Sequence, residues 1–159
     1  LDDEAAMIQL NITALTELTK LCLPPMVASR NGRILNVAST AAFQPGPYMA
    51  VYYASKAYVL SFSEALATEL KGSGVTVTAL CPGPTRTGFQ TRAAMHNSAL
   101  LKNVALTAVD SVARAGYRAM QRGKRMVIPG WINHIGVFST RLMPGWLSAA
   151  IVKKISAPQ

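Results

Sequence analysis

The alternation of short apolar runs with long helical stretches constrains the fold more than any other feature of the sequence. Three runs, at 33–39, 75–81 and 125–130, have the length and the apolar, partly β-branched content of buried strands. The segments 50–71 and 107–123 lie between them and place apolar residues at helical spacing. Parallel strands need helical crossovers of this length. The order therefore predicts an α/β fold with about three parallel strands flanked by helices, part of a doubly wound sheet.

Proline and glycine positions predict helix boundaries. A further helical pattern precedes the first strand, over 4–29, and we expect Pro24-Pro25 to kink or interrupt it. Gly123 follows the last periodic residue of the third helix and predicts its end.

The two cysteines bear on the compartment. Cys22 and Cys81 both lie inside apolar runs, which predicts buried free thiols in a reducing compartment, and we expect the cytoplasm. No Cys-x-x-Cys or Cys/His spacing is present, so the sequence predicts no metal site.

The basic charge is concentrated in the last third of the chain. The formal net charge is +9; residues 1–101 hold seven Lys/Arg against six Asp/Glu, whereas residues 102–159 hold nine against one, Asp110. Such a balance suits solvated surface charge, an anionic membrane surface or an acidic ligand. No nucleic-acid-binding motif or regular basic stripe accompanies it, so we predict no nucleic-acid partner.

The segment 131–159 is an amphipathic basic tail, which we separate from a domain over 1–130. Its pattern predicts helix, broken near Pro144-Gly145. It mixes cations with Trp, Phe, Leu and Ile, as interfacial helices of peripheral membrane proteins do. The alternative is that these apolar residues cover a substrate pocket or a subunit interface.

A serine, two tyrosines and a lysine follow the first predicted strand. Tyr52 and Lys56 are four residues apart at the start of a helix, so both project from one face. An ammonium beside a phenol favours the phenolate, so we expect Lys56 to lower the pKa of the tyrosine and make it a proton donor or acceptor near neutral pH. Tyr53, three residues from Lys56, fits the geometry as well. Ser39 lies at the carboxyl end of the strand, where parallel sheets bind ligands and a hydroxyl can hold a substrate oxygen.

Ser39, twelve intervening residues and Tyr52-x-x-x-Lys56 together resemble the active-site pattern of the short-chain dehydrogenase/reductase family. The preceding Gly-Arg-Ile-Leu-Asn-Val-Ala-Ser resembles that family's strand, with the serine offset by one position. The resemblance selects Tyr52 over Tyr53, since the family's serine precedes its tyrosine by thirteen positions. Asn11 falls where the family has a helix asparagine that holds a water in a proton relay.

The segment Cys-Pro-Gly-Pro-Thr-Arg-Thr after the second strand is similar to the family's Pro-Gly-x-x-x-Thr segment. The resemblance implies that Pro82 and Gly83 shape a nicotinamide pocket, and that Thr85 and Thr87 contact the carboxamide. It also implies that Lys56 and Tyr52 contact the cofactor.

By this resemblance the chain is the C-terminal portion of an NAD(P)-dependent carbonyl reductase or alcohol dehydrogenase with a partial Rossmann-like sheet. The family's glycine-rich turn, Thr-Gly-x-x-x-Gly-x-Gly, brings backbone N–H groups to the pyrophosphate, and no such segment occurs in these 159 residues. The residue that separates NAD from NADP is absent as well, so either cofactor fits the pattern. We expect the chain alone to have little or no dehydrogenase activity.

The resemblance also implies partners. Helices corresponding to 4–29 and 50–71 pack across the subunit interface in the family, so we expect a homo-oligomer through them. The substrate would be a small carbonyl or alcohol compound, and the apolar tail hints at a hydrophobic one. The alternative function is a non-catalytic module for oligomerisation or peripheral membrane contact.

Overall fold

Parallel pairing of β1, Gly32–Val37, with β2, Val75–Leu80, forms the centre of the fold. The computed structural model describes residues 1–85 and 107–156. A short third strand, β3, Met126–Val127, pairs in parallel with β2 and gives the order β1-β2-β3. The predicted α/β class with three parallel strands is confirmed.

The register of β1 on β2 leaves one side of β1 open. Val37 lies opposite Leu80, and the N–H of Ala38 donates to the Leu80 carbonyl at 2.8 Å. Since backbone groups alternate along a strand, Ala38 faces β2 and Val37 faces the other edge. Within residues 1–85 and 107–156 no strand pairs with that edge.

Helices account for most of the described residues. In chain order they are α1, Asp2–Ile8; a π-helical segment, Gln9–Ala14; α2, Leu15–Ala28; a 3-10 turn, Thr40–Phe43; α3, Ala50–Glu69; α4, Val109–Gln121; α5, Trp131–Leu142; and α6, Gly145–Ser156. None of the described helices is both long and apolar enough to cross a membrane.

The expected interruption at Pro24-Pro25 is wrong, because both prolines lie within α2. A proline removes one donor from a helix, but its own carbonyl still accepts. The carbonyl of Pro25 accepts from Ser29 at 3.0 Å, and that of Met26 accepts from Asn31 at 3.1 Å. The helix therefore continues through the pair to its end near the Asn31-Gly32 turn.

The boundaries near the C-terminus follow the predictions in part. Gly123 follows α4 with a φ of 62°, and the predicted break in the tail separates α5 from α6. β3 is shorter than the predicted strand. Pro129 has no N–H to donate and Gly130 has a φ of 87°, so the chain leaves the sheet after two paired residues.

Helices α3 and α4 cover opposite faces of the sheet. On one face, Val59 and Leu60 of α3 are buried in a cluster with Ala79 and Cys81 of β2. On the other, α4 approaches so closely that a Cβ added at Gly116 would lie 2.7 Å from Leu80. This two-sided cover is the doubly wound arrangement that the alternation predicts.

The two cysteines differ in exposure. Cys81 is fully buried, and burial with the nearby Glu64 carboxylate raises the pKa of its thiol to about 12. Cys22 is exposed on α2, so the prediction that both thiols are buried is wrong for Cys22. Its helix face lies along the open edge of β1, where the described chain places nothing against it.

Gly72 and Gly74 in the turn before β2 allow a matched test of this packing. Both have φ near +86° (85° and 87°), but a Cβ at Gly74 would lie 2.0 Å from the Arg30 carbonyl oxygen, whereas one at Gly72 meets nothing within 4 Å. We expect Gly72→Ala to cost about 1–2 kcal/mol for the left-handed backbone alone. Gly74→Ala should cost about 1–3 kcal/mol more for the clash. Urea unfolding of the two variants measures the difference, and equal free energies of unfolding would contradict the packing.

Candidate active site

The carboxyl ends of β1 and β2 are joined just beyond the strands. The Thr40 N–H donates to the Pro82 carbonyl at 2.9 Å, which continues the parallel ladder for one more step. Ser39 lies just before Thr40, with extended backbone, at the start of the 3-10 turn. Its Oγ accepts from the Ala41 N–H at 3.1 Å. The Ser39 Oγ also lies 3.5 Å from the Pro82 carbonyl oxygen. Its position is thus fixed from both strand ends.

Tyr52 meets Ser39 from the first turn of α3. The two side chains are hydrogen-bonded, and this bond lowers the pKa of the Tyr52 phenol. Burial acts in the opposite direction and is the larger effect, so the pKa lies above its ordinary value of 10.0. The structure therefore pairs the predicted serine with the predicted tyrosine.

Lys56 lies one helical turn after Tyr52 but is directed at the edge of the sheet. Its Nζ donates to the Val37 carbonyl at 3.0 Å and lies 5.9 Å from the centre of the Tyr52 ring. Burial lowers the pKa of the ammonium. The expectation that Lys56 brings the pKa of Tyr52 down toward neutrality is wrong for this arrangement, because burial raises that pKa and the Lys56 Nζ is bonded to the Val37 carbonyl.

Tyr53 is a packing residue. Its side chain is buried with Ala41 and Val152, and its ring meets that of Tyr52 edge-on at 5.9 Å. A Cβ added at Gly46 would lie 2.1 Å from the Tyr53 ring, so the preceding loop is closed against it. Its contacts are those of a core side chain, in agreement with the choice of Tyr52.

Asn11 is connected to α3 through Ser55. The Asn11 Nδ2 donates to the Ser55 Oγ at 3.1 Å, and the Ser55 Oγ donates to the Tyr52 carbonyl at 2.8 Å. Asn11 lies in the π-helical segment, a distortion that is frequent at functional sites. Ser55 is a residue that the sequence analysis missed; three positions after a tyrosine, a serine carries no pattern of its own.

An apolar groove of about 500 Å³ runs along the open edge of β1. Asn11 and Lys56 both line it, together with Leu10, Leu15 and Leu18. The groove therefore places two predicted site residues beside backbone groups of β1 that face away from β2.

The segment after β2 is packed against α5. The Thr85 Oγ1 donates to the Gly83 carbonyl at 2.9 Å, and Thr85 also forms a parallel bridge with Thr107. A Cβ at Gly83 would lie 2.3 Å from the Asn133 Oδ1, so a side chain there would require the Asn133 amide to move. Asn133 is the second residue that the sequence analysis missed. The predicted site residue Thr87 lies outside the described residues.

Together these contacts define what the site can do. Ser39 and Tyr52 offer two hydrogen-bonded hydroxyls at the carboxyl end of a parallel sheet, a location suited to ligand binding. Among the described residues, no three His, Cys, Asp or Glu side chains are grouped so as to hold a metal ion. The available chemistry is proton transfer to or from an oxygen held by both hydroxyls.

The curated relatives match about half of the chain. It is 42% identical over 76 residues to 17-beta-hydroxysteroid dehydrogenase type 3 of Mus musculus, an alignment covering 48% of the chain and 25% of that protein. It is 41% identical over 83 residues to the 3-oxoacyl-[acyl-carrier-protein] reductase of Synechocystis, covering 52% of the chain and 34% of the relative. The chain thus matches about a quarter to a third of the length of these relatives.

Solved structures extend the likeness to most of the chain. A short-chain dehydrogenase from Sphingobium yanoikuyae in complex with NADPH is 33% identical, with a TM-score of 0.72; the match covers 85% of this chain and 53% of that one. A short-chain dehydrogenase from Burkholderia cenocepacia in complex with NADP shares the fold with a TM-score of 0.74 at 22% identity, over 96% of this chain and 60% of that one.

The family profile agrees with the geometry of the site. The profile described as short chain dehydrogenase matches residues 2–98, which include Asn11, Ser39, Tyr52 and Lys56. The chain belongs to the short-chain dehydrogenase family of oxidoreductases, whose members have an NAD(P)-binding Rossmann fold.

Proposed function

We propose that this chain carries the catalytic side chains of an NAD(P)-dependent carbonyl reductase or alcohol dehydrogenase. The observation that carries the proposal is the hydrogen bond between Ser39 and Tyr52 at the carboxyl end of β1. During reduction Tyr52 donates its proton to the carbonyl oxygen, and during oxidation it accepts the proton of the alcohol. Ser39 holds that oxygen and stabilises the charge that develops on it.

We propose that the segment after β2 holds the nicotinamide of the cofactor, as the family resemblance implies. In this segment Gly83 packs closely against Asn133 of α5, and Thr85 adjoins Gly83. Pro82, Gly83, Thr85 and Thr87 would hold the nicotinamide, and Lys56 and Tyr52 the ribose. The cofactor, NAD or NADP, supplies or accepts the hydride.

The position of Lys56 supports a site that is completed by a further segment. The Lys56 Nζ donates a hydrogen bond to the Val37 carbonyl, which faces the open edge of β1. A strand paired with that edge would donate its own N–H to this carbonyl. The Lys56 ammonium would then be available to contact Tyr52 and the ribose. The apolar groove along β1 would then be covered, and a glycine-rich turn would bind the pyrophosphate.

The names of two relatives support a proposal for the substrate class. One relative is named for a hydroxysteroid and the other for a 3-oxoacyl group. We therefore propose a small carbonyl or alcohol substrate with a hydrophobic body, handled in the cytoplasm.

The second candidate function is the formation of homo-oligomers, which exposed leucine side chains favour. Leu10, Leu18 and Leu21 are each more than 60% exposed on the first helical stretch. That stretch and α3 contact each other through a hydrogen bond between the Thr16 and Tyr58 hydroxyls at 2.8 Å. An apolar surface on paired helices suits association through segments 4–29 and 50–71.

Replacing each tyrosine tests the catalytic proposal. In a polypeptide that joins this chain to the glycine-rich segment of a relative, we expect Tyr52→Phe to lower kcat by about 10²- to 10⁴-fold, because the proton donor is lost. Tyr53→Phe is the matched control and should leave kcat nearly unchanged. The assay is consumption of NADPH or NADH with a ketone substrate. Unchanged turnover in Tyr52→Phe would contradict the proposal.

The chain by itself tests the need for a further segment. Because it carries only the nicotinamide side of the site, we expect little or no turnover and no tight binding of NAD or NADP. Isothermal titration calorimetry measures the binding. A tight stoichiometric complex would contradict the need for a further cofactor-binding segment.

Removing the Ser39 hydroxyl tests whether that hydroxyl lowers the pKa of Tyr52. Since the bond to Ser39 lowers the pKa of Tyr52 while burial raises it, Ser39→Ala should raise that pKa further. In the unbound chain, a phenolate would then form only at still higher pH. NMR of ¹³C-labelled tyrosine follows the titration, and the control is Ser29→Ala, which removes an exposed hydroxyl bonded to the Met26 carbonyl at the end of α2. A pKa that falls or stays constant in Ser39→Ala would exclude this coupling.

A further inference from the structure

Helix α5 has an outer face made of large apolar side chains. Trp131, Ile135, Phe138 and Leu142 are all exposed. At about 100° per residue these four positions fall within an arc of roughly 60° on one side of the helix. The opposite side carries Val137, which is buried against the core.

Helix α6 also has a buried inner side and an exposed outer side, and its outer side carries positive charge. Its inner side buries Ser148 and Val152, the latter against Ala41 in the 3-10 turn. The opposite side carries the exposed Trp146, followed two turns later by Lys153 and Lys154. We call the outer sides of the two helices the α5–α6 surface; both helices bury their inner sides near the same 3-10 turn.

The charges around this surface indicate what can cover it. Lys153 and Lys154 are its cations, whereas the Arg141 guanidinium lies 5.9 Å from the centre of the Phe43 ring; no Asp or Glu occurs anywhere after Asp110. In a symmetric dimer through this face, the same patch meets itself, so cations would oppose cations without any acidic partner. An anionic surface supplies the missing negative charge and accepts the apolar side chains between the cations.

We propose that the α5–α6 surface docks on a bilayer containing anionic phospholipid. Each helix has 12 residues, about 18 Å long at 1.5 Å per residue, against a hydrocarbon core of about 30 Å. Both helices therefore lie in the interface, with the tryptophan rings at headgroup level and the lysines at the phosphates. This docking is independent of the proposed catalytic function.

The two tryptophans make the test direct. Trp131 and Trp146 are the only tryptophans of the chain, and their side chains are 71% and 73% exposed. On titration with phosphatidylcholine vesicles containing phosphatidylserine, we expect a blue shift of the tryptophan emission that added salt weakens. Vesicles of phosphatidylcholine alone should give a much smaller shift. No shift with either, or equal shifts with both, would overturn the proposal.

Matched variants identify the surface while leaving both tryptophans as reporters. Phe138→Ser/Leu142→Ser removes side chains that are 64% and 72% exposed; its control, Leu18→Ser/Leu21→Ser, removes side chains that are 63% and 74% exposed. We expect the first to lower vesicle affinity at least tenfold and the second to leave it unchanged. Equal affinities of the two variants would contradict docking through this surface.

A second pair of variants tests the charge. Lys153→Gln/Lys154→Gln should lower affinity roughly tenfold or more, since each cation near an anionic surface contributes about fivefold. Lys20→Gln/Lys71→Gln, exposed lysines elsewhere with the same change in net charge, should have little effect. A blue shift that instead grows with protein concentration without vesicles would assign the surface to a second copy and overturn the proposal.

Discussion

The parallel pairing of β1 with β2 is the constraint on which the candidate site depends. Pairing in parallel forces the chain to return through a long crossover, and α3 is that crossover. The ladder then continues past both strands, where Ala38 and Thr40 donate to the carbonyls of Leu80 and Pro82. Ser39 is held between these two bonds, and the first turn of α3 brings Tyr52 to it. A shift of one residue in this register would turn Ser39 away from the phenol.

The chemistry of the site is a balance between burial and hydrogen bonding. Burial raises the pKa of the Tyr52 phenol and lowers that of the Lys56 ammonium, so both groups tend toward their neutral forms. The hydrogen bond with the Ser39 hydroxyl lowers the pKa of the Tyr52 phenol and so opposes the larger effect of burial. The Lys56 Nζ donates to the Val37 carbonyl and lies 5.9 Å from the centre of the Tyr52 ring. In this arrangement Lys56 is directly bonded to the open edge of β1.

Much of the fold could be predicted from local patterns. The β-branched run at 75–81 and the glycine after α4 have the same structural meaning in almost any context. The choice of Tyr52 over Tyr53 came from the resemblance to the family, since local geometry left both tyrosines open. The interruption expected at Pro24-Pro25 is absent because each proline lacks only its own N–H, and the Pro25 carbonyl still accepts from Ser29. The links of Asn11 to Ser55 and of Gly83 to Asn133 could not be predicted, since they join residues more than forty positions apart and depend on tertiary packing.

The most direct test of the account is a crystal structure of the chain joined to a glycine-rich segment, in complex with a nicotinamide cofactor. The account predicts a strand paired with the open edge of β1 and the Lys56 Nζ moved from the Val37 carbonyl to the nicotinamide ribose. The Tyr52 hydroxyl should lie within hydrogen-bond distance of the same ribose and of Ser39. A cofactor bound elsewhere, with Lys56 still on Val37, would contradict the assignment of Ser39, Tyr52 and Lys56 as one catalytic site.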